Sequence, residues 1–448
     1  MSREAALTGV ASANRQGSGT RMHKLLGAWS KLVGGNAANG VLQLVIFAIA
    51  AQALDLAALG VVILIQAYVR LIDGLFNFQS VNVLTNFLAG AQESDDTDRL
   101  RGLLKAGLIV DFGTAFIATI VAVVLLPLVA PWLGIDGHWI ALAAGFCVVI
   151  ATRTFGAIEA GLRCYDRFGA ISLRPVAVSL VTLVGSLIAW FAQAGAEVFL
   201  IIWLVAEVAA NLVYLVWSLV ILRAHGMSGL RQADARGAIA ASPGFWAMMW
   251  QTNATFGIRM LSQEGDVILA GAVLGPVAAS LLRAAKNIAN LVGQLGRPLQ
   301  QVASAPIARF AARDEGDQAL FYAAKIAAIA CLAGLALAAV MAVIAGPVLA
   351  LGFGKEFAAA ATITAILFAA RALYLSGVTL MPLLIAFDQS GRFLGSVIAG
   401  TAAFFIVLGW TIEPLGLIGI GLAHIAFELV WSGYGWITAR VTLHRTQG

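Results

Sequence analysis

Apolar runs long enough to span a bilayer return along the whole chain, separated by segments barely long enough to turn. A bilayer core is about 30 Å thick, and a helix needs about 20 apolar residues to cross it. Such runs lie at about 31–53, 58–89, 104–129, 139–161, 170–193, 197–222, 244–272, 276–308, 320–346, 358–386, 392–412 and 416–438. With 60% hydrophobic and only 11% charged residues in 448, too little polar surface is left for a soluble protein of this size. The fold class that follows is an all-α polytopic membrane protein with about twelve transmembrane helices.

Charge sets the orientation. Bases crowd the N-terminal tail (Arg3, Arg15, Arg21, Lys24, Lys31), the loops after even-numbered spans (among them Arg99, Arg101, Lys105, Arg163, Arg167, Arg174, Arg223, Arg231 and Arg236) and the C-terminus (Arg440, Arg445). The opposite loops carry Lys355 beside acids such as Asp55, Asp136, Glu197, Glu356 and Glu413. The positive-inside rule then places both termini in the cytoplasm. The net charge of +5 thus follows topology and does not mark a nucleic-acid binder. Residues 1–22, polar and rich in Gly and Ser, read as a disordered cytoplasmic tail. Cys147, Cys164 and Cys331 are scattered with no pairing or metal spacing and read as small apolar fillers.

The chain repeats itself. At an offset of 220 residues Lys105 falls on Lys325 and PLVAPWLG (127–134) on PVLALGFG (347–354). Further along the register slips, so that Arg153 matches Arg371 and CYDRFG (164–169) resembles AFDQSG (386–391). Two six-helix lobes of the same topology are expected, 23–222 and 244–448, joined by a cytoplasmic linker at 223–243. Six spans per repeat is even, so the lobes are parallel, related by an axis along the membrane normal.

Charges inside the spans follow the repeat. Arg283, Lys286, Asn290, Gln294 and Arg297 fall within an arc of about 80° on a helical wheel. Gln66, Arg70, Asp73 and Asn77 share one face of the second span, and the offset lays Gln66 on Lys286, Arg70 on Asn290 and Asn77 on Arg297. Asn39 lies on Arg259, and Gln43 on Gln263. Polar faces at membrane depth turn to protein or water, so the stripes are expected to enclose a central cavity. Depth along the helices suggests neutralising pairs: Arg70 with Asp73, Asp266 with Arg283, Glu264 with Lys286. Arg153, Arg259 and Arg371 have no evident acid partner, and Lys286 is the stronger candidate of its helix for meeting an anion. Arg297 reads as a cation snorkelling to the cytoplasmic headgroups. Asp166 and Asp388 read as turn or cap residues. Asp111, Glu207 and Glu428 are the candidates for coupling to H+ or Na+.

Sites for other chemistry are missing from the sequence. GFGKEF (352–357) lacks the Ser/Thr and the spacing of a nucleotide-binding loop, no HExxH, GxSxG or CxxC occurs, and the five histidines are dispersed. No enzyme activity, cofactor or metal is expected.

The stretches LLRAAKNIANLVGQLGRPLQQVASAPIARFAARDEGD, GPVLALGFGKEFAAAATITAILFAARAL, MPLLIAFDQSGRFL with PLGLIGIGLA, and GLRCYDRFGAISLRPVA resemble the multidrug/oligosaccharidyl-lipid/polysaccharide exporter superfamily. Within it they are most similar to the polysaccharide-biosynthesis flippases of the O-antigen (Wzx-type) branch. The resemblance implies a multi-pass protein of the bacterial inner membrane that moves an undecaprenyl-pyrophosphate-linked oligosaccharide to the outer leaflet by alternating access. It would act as a monomer among membrane lipids, with the polysaccharide assembly machinery as a candidate partner. Arg70, Arg153, Arg259, Arg283, Lys286, Asn290 and Arg371 would meet the substrate. The alternatives are a multidrug and toxin extrusion antiporter, which would carry an acid in its first or seventh helix, and a lipid II flippase, which has fourteen spans.

Overall fold

The computed structural model describes residues 38–445 except Gln79, Leu295, Ala312, Asp314 and Asp388. The 1–22 tail, the start of the first expected span, the tail bases, Asp388 and the side chain of Arg297 lie outside what is described. All regular structure among the described residues is helical. The helices are α1 (Ala38–Ala53), α2 (Leu56–Phe76), α3 (Ser80–Glu93), α4 (Thr97–Val129), α5 (His138–Phe146), α6 (Val148–Thr152), α7 (Gly156–Cys164), α8 (Phe168–Phe191) and α9 (Ala196–Ala224). After the linker helix α10 (Ala235–Ala240) come α11 (Phe245–Leu274), α12 (Pro276–Gly293), α13 (Gly296–Ala311), α14 (Gly316–Phe353), α15 (Ala361–Leu375), α16 (Leu380–Ala386), α17 (Ser390–Leu415) and α18 (Leu417–Arg445).

Read end to end, these make twelve crossings among the described residues. Nine are long and apolar enough to span a membrane by composition alone. The other three are α1, whose beginning is not described, α11, and α12–α13. The last two fall short because they carry the polar side chains noticed in the sequence. A lipid-facing helix could not hold them; a helix buried among others can.

Helix breaks recur at the same places in both halves. The second crossing of each half is interrupted, between α2 and α3 and between α12 and α13. So is the fourth, between α6 and α7 and between α15 and α16. A break at membrane depth frees backbone groups that must find partners inside the protein. They do: Asn77 Nδ2 donates to the carbonyl of Arg153 at 3.1 Å, Phe78 N–H donates to Thr114 Oγ1 at 3.2 Å, and Trp436 Nε1 donates to the carbonyl of Ser376 at 2.8 Å.

Packing joins the halves at one end. A single apolar core draws on α1, α2, α4–α6, α8, α9, α11, α12, α14, α15, α17 and α18, thus on both halves. At the opposite end two separate cores form, one mainly of N-terminal residues such as Leu84, Leu103, Ile158 and Leu222 joined by Phe245 and Met249 at the start of α11, the other around Ile307, Leu380 and Leu383. The joined end holds the turns at 54–55 and 275, the outer side by the positive-inside rule. There Ser280 Oγ donates to the carbonyl of Leu56 at 2.7 Å, Gln52 Nε2 to that of Gly352 at 3.1 Å, and Phe47 packs edge-on against Phe353. The approach is so close that a Cβ on Gly60 would stand 2.1 Å from the carbonyl oxygen of Pro276. Only a glycine permits it. Small residues at such crossings are how helices pack where no hydrophobic drive separates them from lipid.

The linker belongs to the N-terminal half. Lys105 Nζ donates to the carbonyls of Arg231 and Ala233, each at 2.8 Å, Arg101 to that of Gly226, and Arg99 to Ser242 Oγ. Bases that looked like topology signals also fasten the linker to α4.

Candidate functional site

A cavity of about 310 Å³ opens inside the N-terminal half. Its wall comes from α1 (Asn39, Gln43), α2 (Gln66, Arg70), the break after α6 (Arg153), α8 (Arg174, Thr182) and α9 (Trp203, Glu207, Asn211). One helix of the other half, α12, closes it with Arg283 and Asn287. The cavity is therefore lopsided. Arg70, Arg153, Arg283 and Glu207, expected from the sequence, line it; Arg259, Lys286, Asn290, Arg371, Asp111 and Glu428 do not.

Four guanidiniums face this space, and carboxylates stand mostly behind them. Arg153 is gripped by two acids: one nitrogen lies 2.8 Å from Asp73 Oδ2 and another 2.5 Å from Glu207 Oε1. It sits where the fourth crossing breaks, and the same Asn77 that caps its carbonyl also donates to Asp73 at 2.9 Å. Arg70 and Arg283 share one carboxylate, Glu264 of α11, at 3.5 and 2.7 Å. That carboxylate ties α2 of one half to α12 of the other. Arg174 lies 3.9 Å from Glu159, donates to Asn211 at 3.1 Å and stacks 3.6 Å from the centre of the Phe155 ring. Neutral donors and acceptors fill the rest: Ser179 Oγ donates to Asn39 at 2.7 Å and accepts from Gln43 at 2.9 Å.

Several expected pairings are exchanged. Asp73 does not hold Arg70; it reaches across to Arg153, because its carboxylate can form a direct ion pair there, while Arg70 turns to Gln66 and Glu264. Arg283 pairs with Glu264 rather than Asp266. Lys286 pairs with Asp266 rather than Glu264, at 2.7 Å from both carboxylate oxygens. Helical phase explains the swap: Asp266 points into the C-terminal half, where it also meets His424 Nε2 at 2.8 Å. Lys286 further donates to the carbonyl of Gln263 and is only 5% exposed. The residue expected to greet an anion is instead enclosed in a Lys–Asp–His cluster.

The coupling candidates separate too. Asp111 is buried and accepts the N–H of Ala157 at 2.6 Å, fastening α7 to α4. Glu207 is held by Arg153, and Glu428 faces Arg371 at 3.6 Å. Arg174 counts in the sequence among the loop-margin bases, although the expected 170–193 span already contains it; in the structure it lies within α8, which begins at Phe168, and lines the cavity wall. Its spacing from the basic cluster Arg163–Arg167 hid that.

The arrangement is a polar, arginine-lined space enclosed by a polytopic helical membrane fold. The chain has the fold of the transporters of the multidrug/oligosaccharidyl-lipid/polysaccharide exporter superfamily, and it is a multi-pass inner-membrane protein. It superposes on the inward-facing conformation of a multidrug resistance MATE family transporter of that superfamily with a TM-score of 0.66 and 16% identity, over 93% of this chain and 95% of that one. Against the lipid II flippase MurJ in an inward closed conformation the TM-score is 0.66 with 12% identity, over 91% and 86% of the two chains. An outward-facing MATE structure superposes with a TM-score of 0.58. In sequence the chain is similar to inner membrane protein YghQ of Escherichia coli (strain K12), a distant homologue: 23% identity over 266 residues, 59% of this chain and 74% of that protein. No family model matches the chain.

Proposed function

We propose that this protein flips a lipid-linked oligosaccharide, an undecaprenyl-pyrophosphate-linked glycan, from the cytoplasmic to the outer leaflet for surface polysaccharide synthesis. The observation that supports this best is the wall of the cavity. Arg70, Arg153, Arg174 and Arg283 face it, while Asp73, Glu159 and Glu264 stand behind them. Carboxylates at the back hold each guanidinium in a fixed pose and lower the cost of keeping it at membrane depth. The N–H groups left over can donate to sugar hydroxyls and pyrophosphate oxygens, which are acceptors in quantity. The lipid tail stays in the bilayer while the head group crosses the polar space.

A cationic drug would be poorly served by the same wall, since Glu207, the one acid among its described lining residues, is already taken by Arg153. In this reading the two six-helix lobes rock about the shared outer core, with the cytoplasmic ends apart when the cavity loads and together when it discharges outward. The Glu264 bridge from α12 to Arg70 spans the seam that such rocking would work against.

Arg70→Ala and Arg174→Ala, expressed in cells whose surface glycan depends on this protein, should each reduce glycan display at least tenfold while membrane levels of the protein hold. Normal display in both variants would sink the proposal, and a gain in drug sensitivity without any change in glycan would point to multidrug export instead.

A further inference from the structure

Seven bases lie at membrane depth among the described residues whose side chains are placed: Arg70, Arg153, Arg174, Arg259, Arg283, Lys286 and Arg371. Five of them donate hydrogen bonds to the protein. Arg371 and Arg259 do not. Arg371 meets Glu428 at 3.6 Å, and its side chain is 20% exposed. Arg259 is exposed. It precedes Asp266 by seven residues on α11, so it shares the face that Asp266 turns to α18. Glu428 follows His424 by four residues on α18, which sets it on the face that receives α11, within electrostatic range of both arginines. Two cations thus stand against one acid.

The other half shows what would complete this corner. Arg153 and Arg371 match in the repeat, and Glu207 matches Glu428 at nearly the same offset, so each half sets an arginine of its fourth crossing against a glutamate of its sixth. In the N-terminal half a second carboxylate, Asp73, closes the arginine. The offset of 220 places Gly293 at the position of Asp73. Gly293 does stand beside Arg371: a Cβ built on it would lie 3.6 Å from Arg371 Cδ, an ordinary contact. There is room for a side chain, and the side chain is missing.

We infer that Arg371 and Arg259 form an oxyanion site, in which a phosphate or carboxylate group of the transported head group takes the place that Asp73 takes on Arg153. A guanidinium whose donors are unused binds such a group through paired N–H···O contacts. The carrier of the oxyanion, pyrophosphate or acidic sugar, rests on the flippase reading; the site itself rests on the two arginines and Gly293. Lys286, two turns from Gly293 on the same face of α12, does not compete, because Asp266 and His424 enclose it.

The test is calorimetric titration of the full-length protein in nanodiscs with sodium pyrophosphate and, separately, with sodium glucuronate. At least one should bind, and the one that does identifies the group. Gly293→Asp supplies the missing carboxylate and should weaken binding at least tenfold more than Gly293→Asn, which fills the same space without charge. Arg371→Gln should weaken it to a similar degree if Gly293→Asp does not fold. The inference is overturned if neither anion binds the unaltered protein, or if the Asp and Asn variants bind alike and Arg371→Gln is without effect. Glycan display reports separately: anion binding through Arg371 with normal display in the Arg70 and Arg174 variants would remove the flippase reading and leave the site.

Discussion

Arg153 and Arg371 hold matching places in the two halves, yet one is locked and the other open. Two carboxylates grip Arg153 within 2.8 Å, while Arg371 has a single carboxylate at 3.6 Å and no hydrogen-bond acceptor among the described residues. Asp73 on one side and Gly293 on the other account for the difference. The repeat thus carries the arginine in both halves and the full ion cluster in one. Locked, an arginine helps to hold a broken helix and shape a wall; open, it keeps donors free for something that is not always there.

The sharpest way to break this comparison is to remove each arginine. Arg153→Ala leaves Asp73 and Glu207 without their cation at membrane depth and should cost about 3–5 kcal/mol, the range for breaking a buried pair from one side. It should show as a large drop in melting temperature in detergent. Arg371→Ala should cost less than half as much, since Glu428 keeps Arg259 in reach; equal losses would mean that the two corners are alike after all.

Next in size is Asp73→Gly, which gives Arg153 the surroundings of Arg371. The hydrogen bonds from Arg153 and Asn77 to the carboxylate both disappear, the one from Arg153 alone being worth about 1.5–3 kcal/mol, and pyrophosphate or glucuronate should gain a second, weaker binding step in titration. Glu264→Gln comes third. It unties α2 from α12 and leaves Arg70 and Arg283 facing each other, so anion binding should tighten several-fold at low salt and relax toward the original value at high salt, as expected for an added exposed charge. Smallest is Gly293→Asn. Its Cβ has room against Arg371, so its melting temperature should change by no more than about 0.5 kcal/mol would produce.

Much of the fold was legible in the amino-acid order. Long apolar runs announced the crossings, and the low hydropathy of α11 and α12–α13 agrees with polar stripes read on those same helices. Arg70, Arg153, Arg283 and Glu207 were named from the sequence and line the cavity. Pairing was harder. Asp266 and Glu264 are two residues apart on one helix, which turns them about 200° from each other; depth alone could not say which of them would meet Lys286. Arg174 was missed because it lies near the basic cluster Arg163–Arg167 and was counted with it, although it falls inside the expected span; which way a base near a helix end points is set by packing against α9 and the break before α7.

The sequence by itself determined the membrane class, the polar helices and the repeat, because bilayer thickness and the cost of charge in lipid act on each segment alone. Only the tertiary structure decided which charges cancel. An ion pair needs two groups within about 4 Å and properly aimed, and that distance is set by helix phase and packing between segments hundreds of residues apart. Packing enclosed Lys286, locked Arg153 and left Arg371 beside a glycine with its donors unused.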